Sequence, residues 1–271
     1  MEVFGKDLLF GNFRLSSYGL MLASFSGNGE SEDDLGMSKE SIETFVGNNP
    51  IPIYTGDKFN DKLRPTITIC KNPCVWSSEK MNFTEKDCRE ILRLLTCYKG
   101  YQWMRVLDCY DEGDDIWFRS KIMKVSYKKV GGRVVGLIIE MECDSSYGYS
   151  TTNNIRINTK ANAPFYIFNN TDDLQNYVYP VVTISPSSAC NVSLNNITEN
   201  FTTEIKNVKA NETITIDSKN QILSSNTVHS LLLNDFNLNW IRLLPNKNEY
   251  RLNVDGIITF TFRAFRKVGF V

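Results

Sequence analysis

The chain has 271 residues, 42% hydrophobic and 23% charged, a globular composition long enough for one large domain or two of medium size, which excludes a disordered or low-complexity reading. Lys and Arg number 30 against 31 Asp and Glu, a net charge of −1, so counterion release supplies no global attraction to nucleic acid. No run approaches the roughly 20 apolar residues that cross a bilayer, and Met1–Lys6 lacks the basic and apolar regions of a signal peptide, so no membrane insertion is expected and synthesis is assigned to a cytoplasm.

In chain order, residues 1–22 alternate short apolar runs with Gly5, Gly11 and Gly19 and read as strand, turn, strand. Residues 24–36 are polar and acidic and read as a surface loop. Pro50–Tyr54 and Arg64–Cys70 look like strands that begin at proline, bracketing a turn at Gly56-Asp57. Thr84 as N-cap, Asp87 three residues on, and Cys88, Ile91, Leu92 and Leu95 at helical spacing predict a helix over 85–98, stopped by Gly100. Residues 103–110, 116–129 and 133–143 read as strands, the last two joined by a Gly131-Gly132 hairpin turn. The nearly continuous apolar run Val134–Ile139 predicts a strand covered on both faces.

Composition shifts at Asp144 to a polar, turn-rich stretch, which places a domain boundary near residue 147. Beyond it come short strands at short intervals, 163–169, 178–185, 189–194, 201–208, 213–216, 221–224, 242–244, 249–254 and 257–265. The expected fold is mainly β (β-rich α+β): an N-terminal domain of strands plus one helix over 1–147, then a β-sandwich over 148–271 whose last strand is free to dock on the first domain.

Little chemistry is written in the sequence. Ser-His-Asp and Cys-His mechanisms need a histidine beside a nucleophile, and the single histidine, His229, sits in a segment without such a signature, as a solvated loop or strand residue. Seven cysteines are an odd number for a disulfide framework and none has paired CxxC spacing, so they read as reduced, mostly buried small hydrophobes. The acidic runs Glu30–Asp34 and Asp111–Asp115 lack the EF-hand spacing and its terminal glutamate, which favours solvated loops over calcium sites. Asn-x-Ser/Thr triplets at Asn82, Asn169, Asn191, Asn196, Asn200 and Asn211 reflect an Asn-rich composition in a chain without a secretion signal. Neither a GxxxxGK[ST] cradle nor GxGxxG spacing occurs, so no nucleotide chemistry is expected. No catalytic residue, metal site or cofactor is assigned. Tyr166, Tyr177, Tyr179, Trp240 and Tyr250 could stack on sugars from the sandwich, although core packing is the ordinary fate of a single ring.

Three motifs carry a resemblance. Gly5-Lys6-Asp7-Leu8 with Tyr18-Gly19-Leu20, then Leu137–Ser145 with Ser146-Tyr147 where a proline is usual, then Asn239–Asn248 with Asn246 in place of a turn glycine, occur in the order found in distal tail proteins of tailed bacteriophages and related phage-tail-like particles. Asparagine tolerates the left-handed conformation such a turn needs. The resemblance spans essentially the whole chain. It implies an N-terminal belt domain that assembles into a homo-hexameric ring, carrying a galectin-like sandwich of the carbohydrate-binding-module type. The implied partners are the tail tube protein, a tail-associated lysin or tail-hub protein, and also the tape measure protein and fibre or receptor-binding proteins. On that implication, strand edges with Ile51, Ile53, Tyr54, Ile67 and Ile69 and the helix with Ile91 and Leu95 are candidate contacts between copies. Asp111, Glu112, Asp114 and Asp115 are candidates for a ring lumen that repels DNA. Trp240, Tyr177 and Tyr179 are candidate glycan or partner contacts, the alternative role being a carbohydrate-binding adhesion module at the host surface.

Overall fold

The computed structural model describes residues 5–24, 39–47, 50–59, 62–107 and 116–267, and the chain divides into one unit of residues 1–149 with 267–271 and a second of residues 150–266. In the first unit the strands are β1 (Asp7–Phe10), β2 (Phe13–Arg14), β3 (Leu20–Leu22), β4 (Lys39–Thr44), β5 (Ile53–Phe59), β6 (Thr66–Lys71), β7 (Gln102–Leu107), β8 (Phe118–Val130), β9 (Arg133–Cys143) and β10 (Gly148–Tyr149), with one α-helix, α1 (Glu85–Thr96). Seven of them pair in the order β2-β1-β7-β8-β9-β6-β3. The two edge strands of this sheet are consecutive in the chain, joined only by the 3-10 turn Leu15–Tyr18 and Gly19. A flat seven-stranded sheet is about 29 Å from edge to edge. Five residues wound largely as a 3-10 turn cover about 10 Å. The sheet therefore curls until the linked ends of its edge strands lie within about 10 Å of each other.

Its inner face is Leu8, Phe10, Ile67, Ile69, Met104, Leu137 and Ile139, each at most 1% exposed. On β9 the burial alternates, with Leu137, Ile139, Met141 and Cys143 buried and Ile138 only half-buried. The apolar run expected to be covered on both faces is thus fully covered on one, because α1 lays Cys88, Ile91 and Leu95 against a single side of the sheet. The capping box is formed: Thr84 Oγ1 accepts from the Asp87 amide at 3.2 Å and Asp87 Oδ2 from the Thr84 amide at 3.0 Å. Gly131 and Gly132 both have positive φ, 55° and 79°, as the tight turn between β8 and β9 requires.

Among the described residues of this unit, two charged side chains are buried. Asp7, 4% exposed, accepts from the amides of Leu8 and Ser16, from Ser16 Oγ and from Arg14 Nε, tying β1 to the 3-10 turn. Burial pushes its carboxyl up, and the hydrogen bonds from Arg14 and Ser16 outweigh it, leaving the group below the usual aspartate range. Lys71 Nζ is buried beneath the Trp76 ring, 4.3 Å from its centroid, and spends its three protons on Lys80 O at 3.0 Å, Asn82 O at 3.1 Å and Asp87 Oδ2 at 2.7 Å.

The second unit is the expected sandwich. Its strands are β11 (Asn153–Thr159), β12 (Pro164–Asn169), β13 (Val181–Pro186), β14 (Cys190–Asn196), β15 (Phe201–Val208), β16 (Ile214–Asp217), β17 (Ile222–Ser225), β18 (Asn246–Leu252), β19 (Gly256–Phe262) and β20 (Phe265–Arg266), with a one-turn helix α2 (Leu232–Asp235). One sheet runs β11-β19-β13-β16-β17 and the other β12-β18-β14-β15. Alternating burial along β12 and β13 aims Phe165, Ile167, Val182 and Ile184 inward, where Phe165 stacks on Tyr250. Tyr250, 2% exposed, is core and not a sugar-facing ring, its hydroxyl donating to Arg242 O at 2.8 Å. Asn246 adopts φ 67°, the left-handed conformation expected of it.

Other local readings change. Residues 242–244 form a single bridge, Leu243 to Val178, and no strand, since the chain there is turned by the Asn248 side chain, whose Oδ1 accepts from the Leu244 amide and whose Nδ2 donates to Leu244 O. Gly56 lies inside β5, not in a turn: the register shifts where Ile42 faces Gly56 and Glu43 faces Tyr54, and the extra residue, Thr55, makes a bulge that glycine at φ 149° accommodates. Of the described cysteines only Cys88 and Cys143 are buried, while Cys74 and Cys97 are exposed.

Candidate functional site

Among the described residues of the first unit, the most concentrated exposed apolar surface is at the hairpin β4–β5. The two strands pair only with each other among the described residues. Around them Ile42, Phe45, Val46, Ile51, Ile53 and Tyr54 are 46–72% exposed. An isolated two-stranded hairpin is marginal in water, and a cluster of exposed apolar side chains on an open strand edge is the usual mark of an interface. Ile51, Ile53 and Tyr54, selected from sequence as contacts between copies, thus lie on an open surface.

The remaining four residues of that group lie elsewhere. Ile67 and Ile69 are 0% exposed, on a strand flanked by β9 and β3, and Ile91 and Leu95 are 6% and 2% exposed beneath α1. Their side chains fill the unit's own core, because the inward face of a strand and the apolar stripe of an amphipathic helix are the faces that folding consumes first. A neighbour could reach only the outer face of α1.

On the sandwich, the aromatic candidates do meet. Tyr179, Phe201, Leu238, Trp240 and Arg242 line one groove of about 390 Å³ with Ser218 and Lys219. Tyr179 is exposed, and Trp240 is half-buried edge-on to Phe236. Tyr177 stands behind the groove as a platform, the Arg242 guanidinium carbon lying 4.3 Å from its centroid and 5.1 Å from that of Phe201. Glu199 holds the same guanidinium through Nη2 at 3.1 Å and Nε at 3.3 Å. Burial pulls the guanidinium pKa down, and the Glu199 hydrogen bond and charge overcome that and raise it. Sequence reading found the rings and missed Arg242, Glu199 and Lys219, which carry no motif.

His229 is the opposite of a solvated histidine. Its side chain is 6% exposed, with Nδ1 2.8 Å from Glu212 Oε1 and Nε2 2.9 Å from Asp235 Oδ2. Ser225 Oγ lies 2.6 Å from the same Glu212 oxygen, donating to the carboxylate and not to the ring. With both nitrogens engaged by carboxylates the imidazole has no lone pair turned to a hydroxyl, so the cluster is a clamp on the 226–235 segment, not a catalytic triad. The Asp235 hydrogen bond raises the His229 pKa most, against burial, with Glu212 adding to it. Among the described residues no group of three His, Cys, Asp or Glu side chains is arranged to hold a metal. Asp111, Glu112, Asp114 and Asp115 lie outside the described residues.

Residues 4–145 match a family model described as a phage tail protein N-terminal domain, and residues 147–262 one described as a phage tail C-terminal domain. The chain belongs to this phage tail protein family. The fold of this tail protein is similar to that of the SPP1 Dit protein, described as a paradigm of the hub adsorption apparatus in phages infecting Gram-positive hosts, with a TM-score of 0.64 and 14% identity over 95% of this chain and 98% of that one. It is also similar to a chain of the phage P2 baseplate in its activated conformation with Ca, with a TM-score of 0.56 and 10% identity over 97% and 99%. The p2 baseplate structure with Sr gives 0.53 and 10% over 95% and 94%. No curated protein matches the tail protein. The mainly-β, distal-tail-like fold implied by the sequence motifs is therefore the fold observed.

Proposed function

We propose that this tail protein is a non-catalytic hub component at the tail tip, assembling through its first unit as a homo-hexameric ring between the tail tube protein and a tail-associated lysin or hub protein. The observation that carries this reading is the hairpin β4–β5, with six large apolar side chains exposed and no strand partner among the described residues beyond the hairpin itself. A ring of identical copies uses a heterologous contact that closes, and an open two-stranded edge with apolar side chains suits it, since each copy offers a strand for its neighbour to extend. The near-zero net charge and the free thiols suit assembly in a reducing host cytoplasm. The acidic residues 111, 112, 114 and 115 belong to this reading as a lumen lining that repels DNA, and the tape measure and fibre proteins as further neighbours.

The test is native mass spectrometry with negative-stain imaging of the full chain. Hexameric rings are expected, and Ile53→Lys, which sets an unpaired charge in the contact, should weaken assembly at least about tenfold without lowering the thermal midpoint. A chain that stays monomeric at all concentrations and also beside its tube protein would overturn the reading.

A further inference from the structure

The segment that follows β17 is tied down at both ends. At one end the Asn226 amide donates to Thr213 O at 3.1 Å, and Asn226 Oδ1 accepts from the Thr213 amide at 2.8 Å. At the other, Phe236 is 4% exposed and bridges to Ile205, and the Asn237 amide donates to Glu204 O at 3.1 Å. Between these anchors α2 packs against both β15 and β17, the terminal strands of the two sheets, so the segment lies as a strap across one side of the sandwich. Its side chains give it little hold. Within 227–235 only His229, Leu232 and Asp235 are covered; the rest are exposed, among them Val228, Leu231 and Leu233.

His229 joins the strap both to itself and to the sandwich. Its Nε2 reaches Asp235 within the strap and its Nδ1 reaches Glu212, at the turn between β15 and β16. Those two carboxylates are the charged groups that face the ring. β17 adds the Ser225 hydroxyl on Glu212, β15 adds Asn207, whose Nδ2 donates to Asp235 Oδ1 at 3.1 Å, and Lys209 sends its ammonium to Val228 O at 2.9 Å. Carboxylates are acceptors, so both ring nitrogens must donate, and imidazole donates at both only when protonated. A neutral ring has one N–H and turns a lone pair on the other carboxylate, at 2.8 or 2.9 Å. The two carboxylates differ in that event. Glu212, with its side chain 0% exposed, keeps the Lys209 amide at 2.8 Å and the Ser225 hydroxyl, whereas Asp235, 15% exposed, keeps only Asn207 among the described residues. The neutral ring therefore stays with Glu212, and the Asp235 end lets go.

We propose that residues 227–235 are a proton-held strap, closed over the side of the sandwich while His229 is charged and released as a unit, with the sandwich intact, when the imidazole loses its proton. The raised His229 pKa agrees in sign. A group that holds its proton more tightly in the closed form stabilises that form fully below the ordinary 6.5 and ceases to do so as pH rises through the closed-state value. Across that window opening grows by up to about tenfold per pH unit, the limit for one proton. Release lifts Leu232 off the sandwich core and uncovers the flanks of β15 and β17, two edge strands that the closed strap guards.

The experiment is hydrogen–deuterium exchange with mass spectrometry on the full chain at about pH 6 and about pH 9, labelling times being scaled to the intrinsic exchange rate. The readout is a peptide holding the amides of Leu232, Asn234 and Asp235, each bonded within the strap, compared with β13 and β19 in the interior of a sheet. In the wild type the strap should open at least about tenfold more at the higher pH while β13 and β19 keep their protection. Asp235→Asn should keep the strap closed at both, because an amide donates to the lone pair of a neutral ring while its oxygen still serves Asn207. His229→Gln, with no proton to lose, should give one level of opening at both. Protected β13 and β19 in each variant show that it folds. A wild-type strap equally protected at both pH values, core strands that lose protection alongside it, or Asp235→Asn opening with pH as the wild type does would each overturn the proposal.

Discussion

Replacing Lys71 by Met keeps the apolar stem that packs under Trp76 and removes only the ammonium. The Lys71 side chain is 4% exposed with all three ammonium protons used, so loss of the ammonium leaves the carbonyls of Lys80 and Asn82 without their donor and the Asp87 carboxylate without its cation. Removing one partner of a buried pair costs about 3–5 kcal/mol, and because Asp87 is 27% exposed and keeps its capping bonds to Thr84, the lower end applies, about 3 kcal/mol. A unit of about 150 residues unfolds with an entropy near 0.3 kcal/mol/K, so the first unit's thermal midpoint should fall by about 10 °C. Differential scanning calorimetry of the full chain reads this directly. Asp87→Asn, which keeps a capping oxygen, should cost roughly half as much, and the double variant should cost less than the sum. Burial raises the Asp87 carboxyl, but its bonds to Lys71 and Thr84 hold it below its ordinary 3.8. Its contribution is therefore present above that value and lost as pH falls through the lower folded one, so wild type and Asp87→Asn converge in acid. A midpoint drop under about 3 °C for Lys71→Met, or full additivity, would show the pair to be worth no more than a surface contact.

The His229 clamp sets a pH dependence on the second unit. The raised His229 pKa contributes stability that is complete below 6.5 and lost as pH rises through the folded value, while the lowered Glu212 pKa contributes above 4.5 and is lost in acid. The second unit should melt highest between those limits and decline on the alkaline side; His229→Gln should flatten that decline, and an unchanged alkaline slope would remove the histidine from the account. At Gly19, φ is 65° and a β-carbon would come within 2.6 Å of Trp76 Nε1, whose N–H already donates to Gly19 O. Gly19→Ala should thus cost about 3 kcal/mol by urea unfolding, against about 1 kcal/mol for Gly132→Ala, which has the same handedness and open space around it. Equal costs at the two positions would refute the steric part.

Much of the architecture was legible residue by residue. The Thr84–Asp87 capping box, the Gly131-Gly132 turn and the alternation of β12 and β13 are signals confined to a few neighbouring residues, and propensity and solvent partition act at that range. The choice of which apolar strand is core and which is surface was not legible: Ile53 and Ile67 have like composition around them, yet one is 55% exposed and the other 0%. Only pairing order separates them, since β6 lies between β9 and β3 while β5, among the described residues, pairs with β4 alone. The charged groups show the same division. Lys71 with Asp87, Arg242 with Tyr177 and Glu199, and His229 with Glu212 join residues brought together by the fold. The sequence by itself determined the elements and their apolar faces; the tertiary structure alone decided which edges stayed open and which charges were buried in pairs, because a side chain's electrostatic neighbours are set by strand order and not by chain distance.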